Sequence, residues 1–188
     1  MKFKTCKRYN DPGHAHELTF SCYKNQPFLS NSWVCELLCQ SIVKMKSKCI
    51  IDLWAFVFMP THIHLLIYPK TEEYDISSIL KSIKQPSSQR ILSICKSDYP
   101  SFLKQMTEYK SNGKTTYRFW QRGGGYDRNI YKMDTIKAVI DYIHHNPVRK
   151  GLVDNPADWK WSSAGFYYCG SNSPLGIDKS SFEEVVGG

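Results

Sequence analysis

Two apolar segments separated by only two residues restrict this chain more than any other feature. Residues 49–59 (C-I-I-D-L-W-A-F-V-F-M) and 62–68 (H-I-H-L-L-I-Y) are rich in β-branched and aromatic side chains, with Pro60 and Thr61 between them. Proline has no amide to give to a sheet ladder, so the run is interrupted there and the two segments predict an antiparallel hairpin. The 188 residues suit one domain with or without a tail, and 41% hydrophobic with 14% aromatic residues can fill its core.

The remaining segments build a sheet around that hairpin. After the Asp11-Pro12-Gly13 turn, residues 17–23 (E-L-T-F-S-C-Y) predict a first strand. Asn31-Ser32 then starts a helix that carries Val34, Leu37, Leu38, Ile42 and Met45 at helical spacing. A second helix begins near Ile76, with Ile79, Leu80 and Ile83 on one face, and Pro86 is expected to kink or split it. Residues 110–114 read as a turn, 115–122 as the fourth strand, and Gly123-Gly124-Gly125 as a flexible break. Asp134 is placed as the cap of a third helix over 135–145, ended by Asn146-Pro147. The segment beyond, with Trp159-Lys160-Trp161, reads as irregular chain packed by its tryptophans. This β-α-β-β-α-β order followed by a helix predicts an α+β ferredoxin-like sandwich: a four-stranded antiparallel sheet, helices on one face, the other face open to a ligand.

Charge and cysteines bear on the partner and the compartment. Lys+Arg 25 against Asp+Glu 17 leaves +8, which favours an anionic partner such as nucleic acid. The basic residues are interleaved with aromatics, as in Tyr117-Arg118-Phe119-Trp120-Gln121-Arg122, which suits a folded binding surface. Seven cysteines with no Cys-x-x-Cys pair fit reduced thiols. No stretch is long and apolar enough for a membrane span, and the basic N-terminus lacks a signal peptide's apolar core. A soluble intracellular protein is the expectation.

Two constellations can carry chemistry. Alternation along a strand puts His62, His64, Leu66 and Tyr68 on one face and Ile63, Leu65 and Ile67 on the other, so the two imidazoles project side by side and can converge on a divalent cation. The alternative is two histidines on a solvated face. His14-Ala15-His16 has the same spacing without the apolar frame and reads as a loop or the start of a strand. In D-Y-I-H-H-N-P, Tyr142 and Asn146 lie one helical turn apart on one face. A tyrosine can form a covalent intermediate beside an activated electrophile, and Asn146 can offer a carbonyl oxygen next to the imidazoles. The bland reading is a core tyrosine with its hydroxyl at the surface. His144 and His145 remain candidate ligands, of which at most one faces Tyr142's side, and Tyr126 is a second candidate nucleophile in a loop.

M-P-T-H-I-H-L-L, W-Q-R-G-G-G-Y-D-R-N-I and D-Y-I-H-H-N-P-V-R-K-G-L-V, followed by W-S-S-A, resemble in their order the REP-associated tyrosine transposases, which are single-tyrosine HUH transposases. The resemblance runs from about Gly13 to Ala164. It implies a ferredoxin-like transposase domain over residues 1–165 with a C-terminal tail at 166–188. It implies that His62, His64 and Asn146 hold Mg²⁺ or Mn²⁺. It also implies that Tyr142 attacks a phosphodiester of single-stranded, hairpin-forming DNA, leaving a 5′-phosphotyrosine and a free 3′-OH. Arg118, Arg122, Arg128, Arg149 and Lys150 become candidate phosphate contacts, and Trp120 or Phe119 candidate stacking platforms for unpaired bases. Thr61 departs from the family's usual asparagine before the first histidine. The rival readings are a domesticated hairpin or single-stranded nucleic-acid binder that does not cut, and a water-using metal hydrolase whose base has no candidate. Monomer and homodimer are both compatible with the sequence.

Overall fold

The hairpin forms as its composition requires. Ile51–Met59 (β2) and His62–Pro69 (β3) pair antiparallel from Ile51 opposite Pro69 to Met59 opposite His62, turning at Pro60-Thr61. The register slips between Leu53 and Ala55, so Trp54 is an extra residue. Leu53 and Phe56 therefore face one side, while Trp54, Ala55 and Val57 face the other. Every residue of β2 is buried, because both of its faces are covered.

The computed structural model describes residues 9–187. Ala15–Ser21 (β1) lies beside β3 and carries Tyr126–Ile130 (β6) on its other edge, giving the antiparallel order β2-β3-β1-β6 of a ferredoxin-like sheet. The fourth strand of the sheet is thus not 115–122. Thr115–Tyr117 (β5) pairs with Thr107–Tyr109 (β4) in a separate two-stranded hairpin, behind the short helix Pro100–Lys104 (α3). The triple glycine is also more than a flexible break. Gly125 has φ +76° and sits so close to β1 that a Cβ there would lie 2.1 Å from the Thr19 carbonyl oxygen. Close approach at this point lets β6 start pairing at Tyr126 opposite Thr19.

Two helices, Ser32–Cys49 (α1) and Ile76–Ser97 (α2), cover one face of the sheet and bury Leu18, Phe20, Phe56, Phe58, Ile63, Leu65 and Ile67. Asp75 caps α2 by accepting from the amides of Ser77 and Ser78 at 3.0 Å each. Pro86 neither ends nor splits α2, which stays helical through Ser97. The buried stripe of Ile79, Leu80, Ile83, Ile91 and Cys95 holds both halves against the sheet across the missing proline donor.

The opposite face is only half open. Met133–Arg149 (α4) lays Ile136, Val139, Ile140 and Ile143 onto Trp54, Ala55, Val57, Met59 and Leu66. It is preceded by Lys132 as N-cap, with Asp134 inside its first turn, and it runs straight through Asn146-Pro147. Gly151 stops it instead: at φ +64° its amide bonds the Val148 carbonyl while the Leu152 amide bonds the Pro147 carbonyl, a Schellman closure.

The C-terminal segment is not irregular. Ala164–Cys169 (α5) and Lys179–Gly187 (α6) follow α4, and the chain around them clasps the outer edge of β2. Phe58 N donates to the Trp161 carbonyl, Ser163 N to the Phe56 carbonyl, Asp178 N to the Leu53 carbonyl, and the Asp178 carboxylate accepts from Leu53 N. Phe182 packs edge-on against Trp54. Because Gly125 combines positive φ with contact on backbone, Gly125→Ala is expected to cost at least about 2 kcal/mol. The check is the urea-unfolding midpoint, with Gly123→Ala, which meets open space, as the milder control.

Candidate active site on the half-covered sheet face

The strand alternation places both histidines where the sequence predicts. His62 and His64 lie on the α4 side of β3, their ring centroids 5.0 Å apart and edge to face. Each Nδ1 has a hydroxyl partner: Thr19 Oγ1 at 2.8 Å from His64, and Thr61 Oγ1 at 2.9 Å from His62. The threonine that departs from the family pattern thus orients the first histidine. A hydroxyl accepting from Nδ1–H leaves Nε2 with its lone pair, the tautomer a metal requires. His64 Nε2 is buried and has no hydrogen-bond partner among the described residues.

Burial, then the neighbouring His62 and Arg149, pushes the His64 pKa down to about 4. Burial and the nearby Lys150 also lower that of His62. Both rings are therefore neutral donors at neutral pH.

Helix α4 brings Tyr142 to them. Its ring centroid is 5.7 Å from that of His64, edge to face, and 40% of the residue is exposed. The Arg149 guanidinium lies 4.5 Å from the centre of the Tyr142 ring. Asn146 is buried one turn on, and its Nδ2 donates to the Tyr142 carbonyl at 2.8 Å, leaving Oδ1 as the acceptor not tied to the helix. The helical hydrogen bond from Lys150 N to the Asn146 carbonyl shows that Pro147 does not push Asn146 out of the helix.

The other candidates separate. His144 turns from this site, its Nε2 2.8 Å from Ser163 Oγ and its ring against Tyr167, and His145 is exposed. His16 lies buried on the opposite face, with Nδ1 2.9 Å from Asp127 Oδ1 and Nε2 2.8 Å from the Tyr74 hydroxyl. Both its nitrogens are engaged, so the second His-x-His presents no paired donors. Among the described residues no group of three His, Cys, Asp or Glu could hold a metal.

The basic candidates also fall into two sets. Arg128, Arg149 and Lys150 surround the His–Tyr site. Arg118 and Arg122 both bond Glu108 on the β4–β5 side, bordering a cleft with α2. Phe119 and Trp120 are core residues, with Trp120 Nε1 bonded to Ser87, and offer no stacking surface.

Tyr142 and His64 open onto a cavity of about 710 Å³ shared with Glu17, Thr19, Tyr126, Arg128, Asp134, Thr135, Ala138 and Val139. Glu17 and Thr19 were not singled out from the sequence. Their signal was the alternation in E-L-T-F, which became informative once β1 was known to lie next to β3. Tyr126, read as a loop residue, is on β6 and half exposed at the cavity rim.

The ferredoxin-like sheet thus carries paired histidines and a helical tyrosine together on one face. The family described as "Transposase IS200 like" matches residues 13–146, and the chain belongs to it. A Haemophilus influenzae protein described as a REP-associated tyrosine transposase is 27% identical over 109 residues, 58% of this chain and 56% of that protein. This chain therefore aligns with little more than half the length of that relative. A solved structure, a REP-associated tyrosine transposase bound to a REP hairpin, superposes with TM-score 0.68 at 20% identity, covering 93% of this chain and 92% of that one. That likeness establishes the shared fold.

The depressed histidines carry a stability signature. The unfolded chain takes up protons near pH 6.5, whereas folded His64 and His144 resist protonation until about pH 4. Between those values the unfolded state binds more protons, so stability falls as pH drops through that window. The unfolding free energy extrapolated from urea titrations is expected to decline from pH 7 to pH 5 by on the order of 2 kcal/mol per histidine. His144→Gln should make that decline shallower.

Proposed function

We propose that this protein is a metal-dependent tyrosine transposase that cleaves and rejoins single-stranded, hairpin-forming DNA through Tyr142. The observation that carries the reading is the placement of Tyr142 against His64, an imidazole with a buried, unpartnered Nε2. Family membership and the hairpin-bound structural relative support the substrate class.

The chemistry follows from the side chains. The Tyr142 oxygen attacks phosphorus as its proton leaves. The bond from phosphorus to the 3′-oxygen breaks, and that oxygen takes up a proton to give a free 3′-OH. The phosphate stays esterified to tyrosine at its 5′ side, conserving the bond, so a second 3′-OH can reverse the step without an external energy source. Mg²⁺ or Mn²⁺, held by His62, His64 and the Asn146 carbonyl oxygen, would polarise the scissile phosphodiester. Arg149 and Lys150, fixed by the Schellman closure of α4, supply positive charge for the phosphate near Tyr142. Arg118 and Arg122 are set apart from this chemistry and suit contacts to a more distant part of the DNA. We assign the transposase domain to residues 1–165 and residues 166–188 to a tail, whose Asp178 and Phe182 dock on β2.

Incubation with labelled single-stranded hairpin DNA and Mg²⁺ or Mn²⁺ tests the reading. Wild type should form a covalent adduct that chelation abolishes and added metal restores. Tyr142→Phe and His64→Ala should form none. Thr19→Val, which removes the hydroxyl holding His64 Nδ1, should reduce the adduct rate by about 10- to 100-fold. An adduct from Tyr142→Phe would refute the nucleophile, and tight binding by wild type with no adduct on any hairpin would make the protein a binder.

A further inference from the structure

The helix layer behind the sheet carries a charge pattern that the chemistry at Tyr142 leaves unused. Residues 37–51, which include most of α1, and residues 76–97, the whole of α2, hold seven Lys or Arg and no Asp or Glu, in a chain with 17 carboxylates. Two clefts open on this layer. One, of about 510 Å³ between α1 and α2, is bordered by Lys44, Lys48, Ser78, Lys81, Ser82 and Gln85. The other, of about 600 Å³ between α2 and the β4–β5 hairpin, shares Lys81 and Gln85 and adds Ser88, Lys110, Arg118 and Arg122. The two therefore join across α2 into one track, and among the described residues no carboxylate lines it.

Several basic residues here are balanced close at hand. Lys46 bonds Asp178, and Glu108 bonds both Arg118 and Arg122. Lys84 is held by the carbonyls of Gln121 and Gly123. Lys44, Lys48, Lys81 and Lys110 differ: all four are exposed, and among the described residues none meets a carboxylate in an ion pair. Positive charge gathered without counter-charge repels itself, and a docked polyanion relieves that repulsion. The interspersed hydroxyls and amide of Ser78, Ser82 and Gln85 add hydrogen-bonding groups for phosphate oxygens. Single strands are gripped by aromatic faces as well, but the α1–α2 cleft has none in its lining, and Phe119 and Trp120 of the second cleft are core residues. A duplex, which hides its bases and shows rows of phosphates, fits this surface better. Ser78 to Gln89 covers about 16 Å of helix axis, roughly half a turn of such a duplex.

We propose that this track is a second DNA seat: it holds the backbone of a duplex distinct from the strand that Tyr142 attacks, so one protomer carries two DNA segments at once. The seat itself concerns binding, and only its purpose rests on the transposase reading. Position separates the two. Helices α1 and α2 cover one face of the sheet, while Tyr142, His62 and His64 lie on the other, on the side of α4. A strand seated at the histidines has the sheet between it and Lys44 or Lys48. The purpose follows from rejoining, which needs a second 3′-OH near the phosphotyrosine. A second DNA molecule carried on the same protomer raises the local concentration of such ends without any new contact at the active site.

The test is sedimentation velocity at low salt with two probes in different dyes, a hairpin with single-stranded flanks and a short blunt-ended duplex. Wild type saturated with hairpin should take up the duplex as well, and the mass of the complex should give one of each DNA per protomer. Lys44→Gln, Lys48→Gln and Lys81→Gln combined should weaken duplex binding by about tenfold or more at constant salt, and flatten its log–log salt dependence by about 2 to 3. Hairpin affinity and adduct rate should stay within about twofold of wild type, which also shows that the variant folds. Lys81→Glu alone, which reverses the charge shared by both clefts, serves if the triple variant fails to fold. Duplex that displaces hairpin from wild type, or no duplex bound at low salt, would overturn the proposal. So would a folded variant that loses hairpin and duplex in equal proportion, since the track would then seat the hairpin's own stem. Duplex RNA bound in preference to duplex DNA would overturn the choice of partner. A protein that holds both DNAs but never forms an adduct would overturn the transposase reading and leave the seat standing. An active enzyme that ignores the duplex would do the reverse.

Discussion

The packing of α4 against the bulged strand β2 is the contact on which the site depends. Trp54 is the extra residue in that strand, and it gives the second sheet face a broad apolar platform together with Ala55, Val57 and Met59. Ile136, Val139, Ile140 and Ile143 fill one stripe of α4 and dock there. Once the stripe is seated, the rotation of the helix is set. Tyr142 comes to the margin, against His64, and Asn146 follows one turn later. Tyr142 is positioned by hydrophobic contacts made elsewhere on the helix.

Electrostatics divides the same face in two. Around the histidines and the end of α4, Arg149 and Lys150 provide positive charge, and burial keeps the imidazoles neutral. A few residues along β1, the charge reverses at Glu17. The overall +8 would not reveal this, because net charge averages over both regions.

The sequence made some of these features legible and hid others for physical reasons. The hairpin, the shared face of His62 and His64, and the turn linking Tyr142 to Asn146 follow from periods of 2 and 3.6, which tertiary structure seldom alters. The fourth strand was misread because T-T-Y-R-F-W has strong β propensity, whereas Y-D-R-N-I has little. Residues 126–130 become a strand through pairing with β1, made reachable by Gly125. Pro147 reads as a helix stop, but α4 continues past the lost Pro147 donor, with Lys150 N bonded to the Asn146 carbonyl, and is closed at Gly151 instead. The alternation in E-L-T-F places Glu17 on a face of β1, but which face meets the site depends on β1 lying between β3 and β6.

The clasp on β2 has a consequence for how this molecule avoids its own kind. β2 is an edge strand made of nine buried, largely apolar residues, and an edge of that composition is a template for pairing with another chain. The backbone at Trp161, Ser163 and Asp178 takes up the amides and carbonyls that another strand would use. Cutting the chain before Trp161 would therefore not yield a smaller soluble enzyme. It would expose a sticky edge, so the C-terminal segment works as a built-in guard against aggregation for a sheet whose chemistry lies elsewhere.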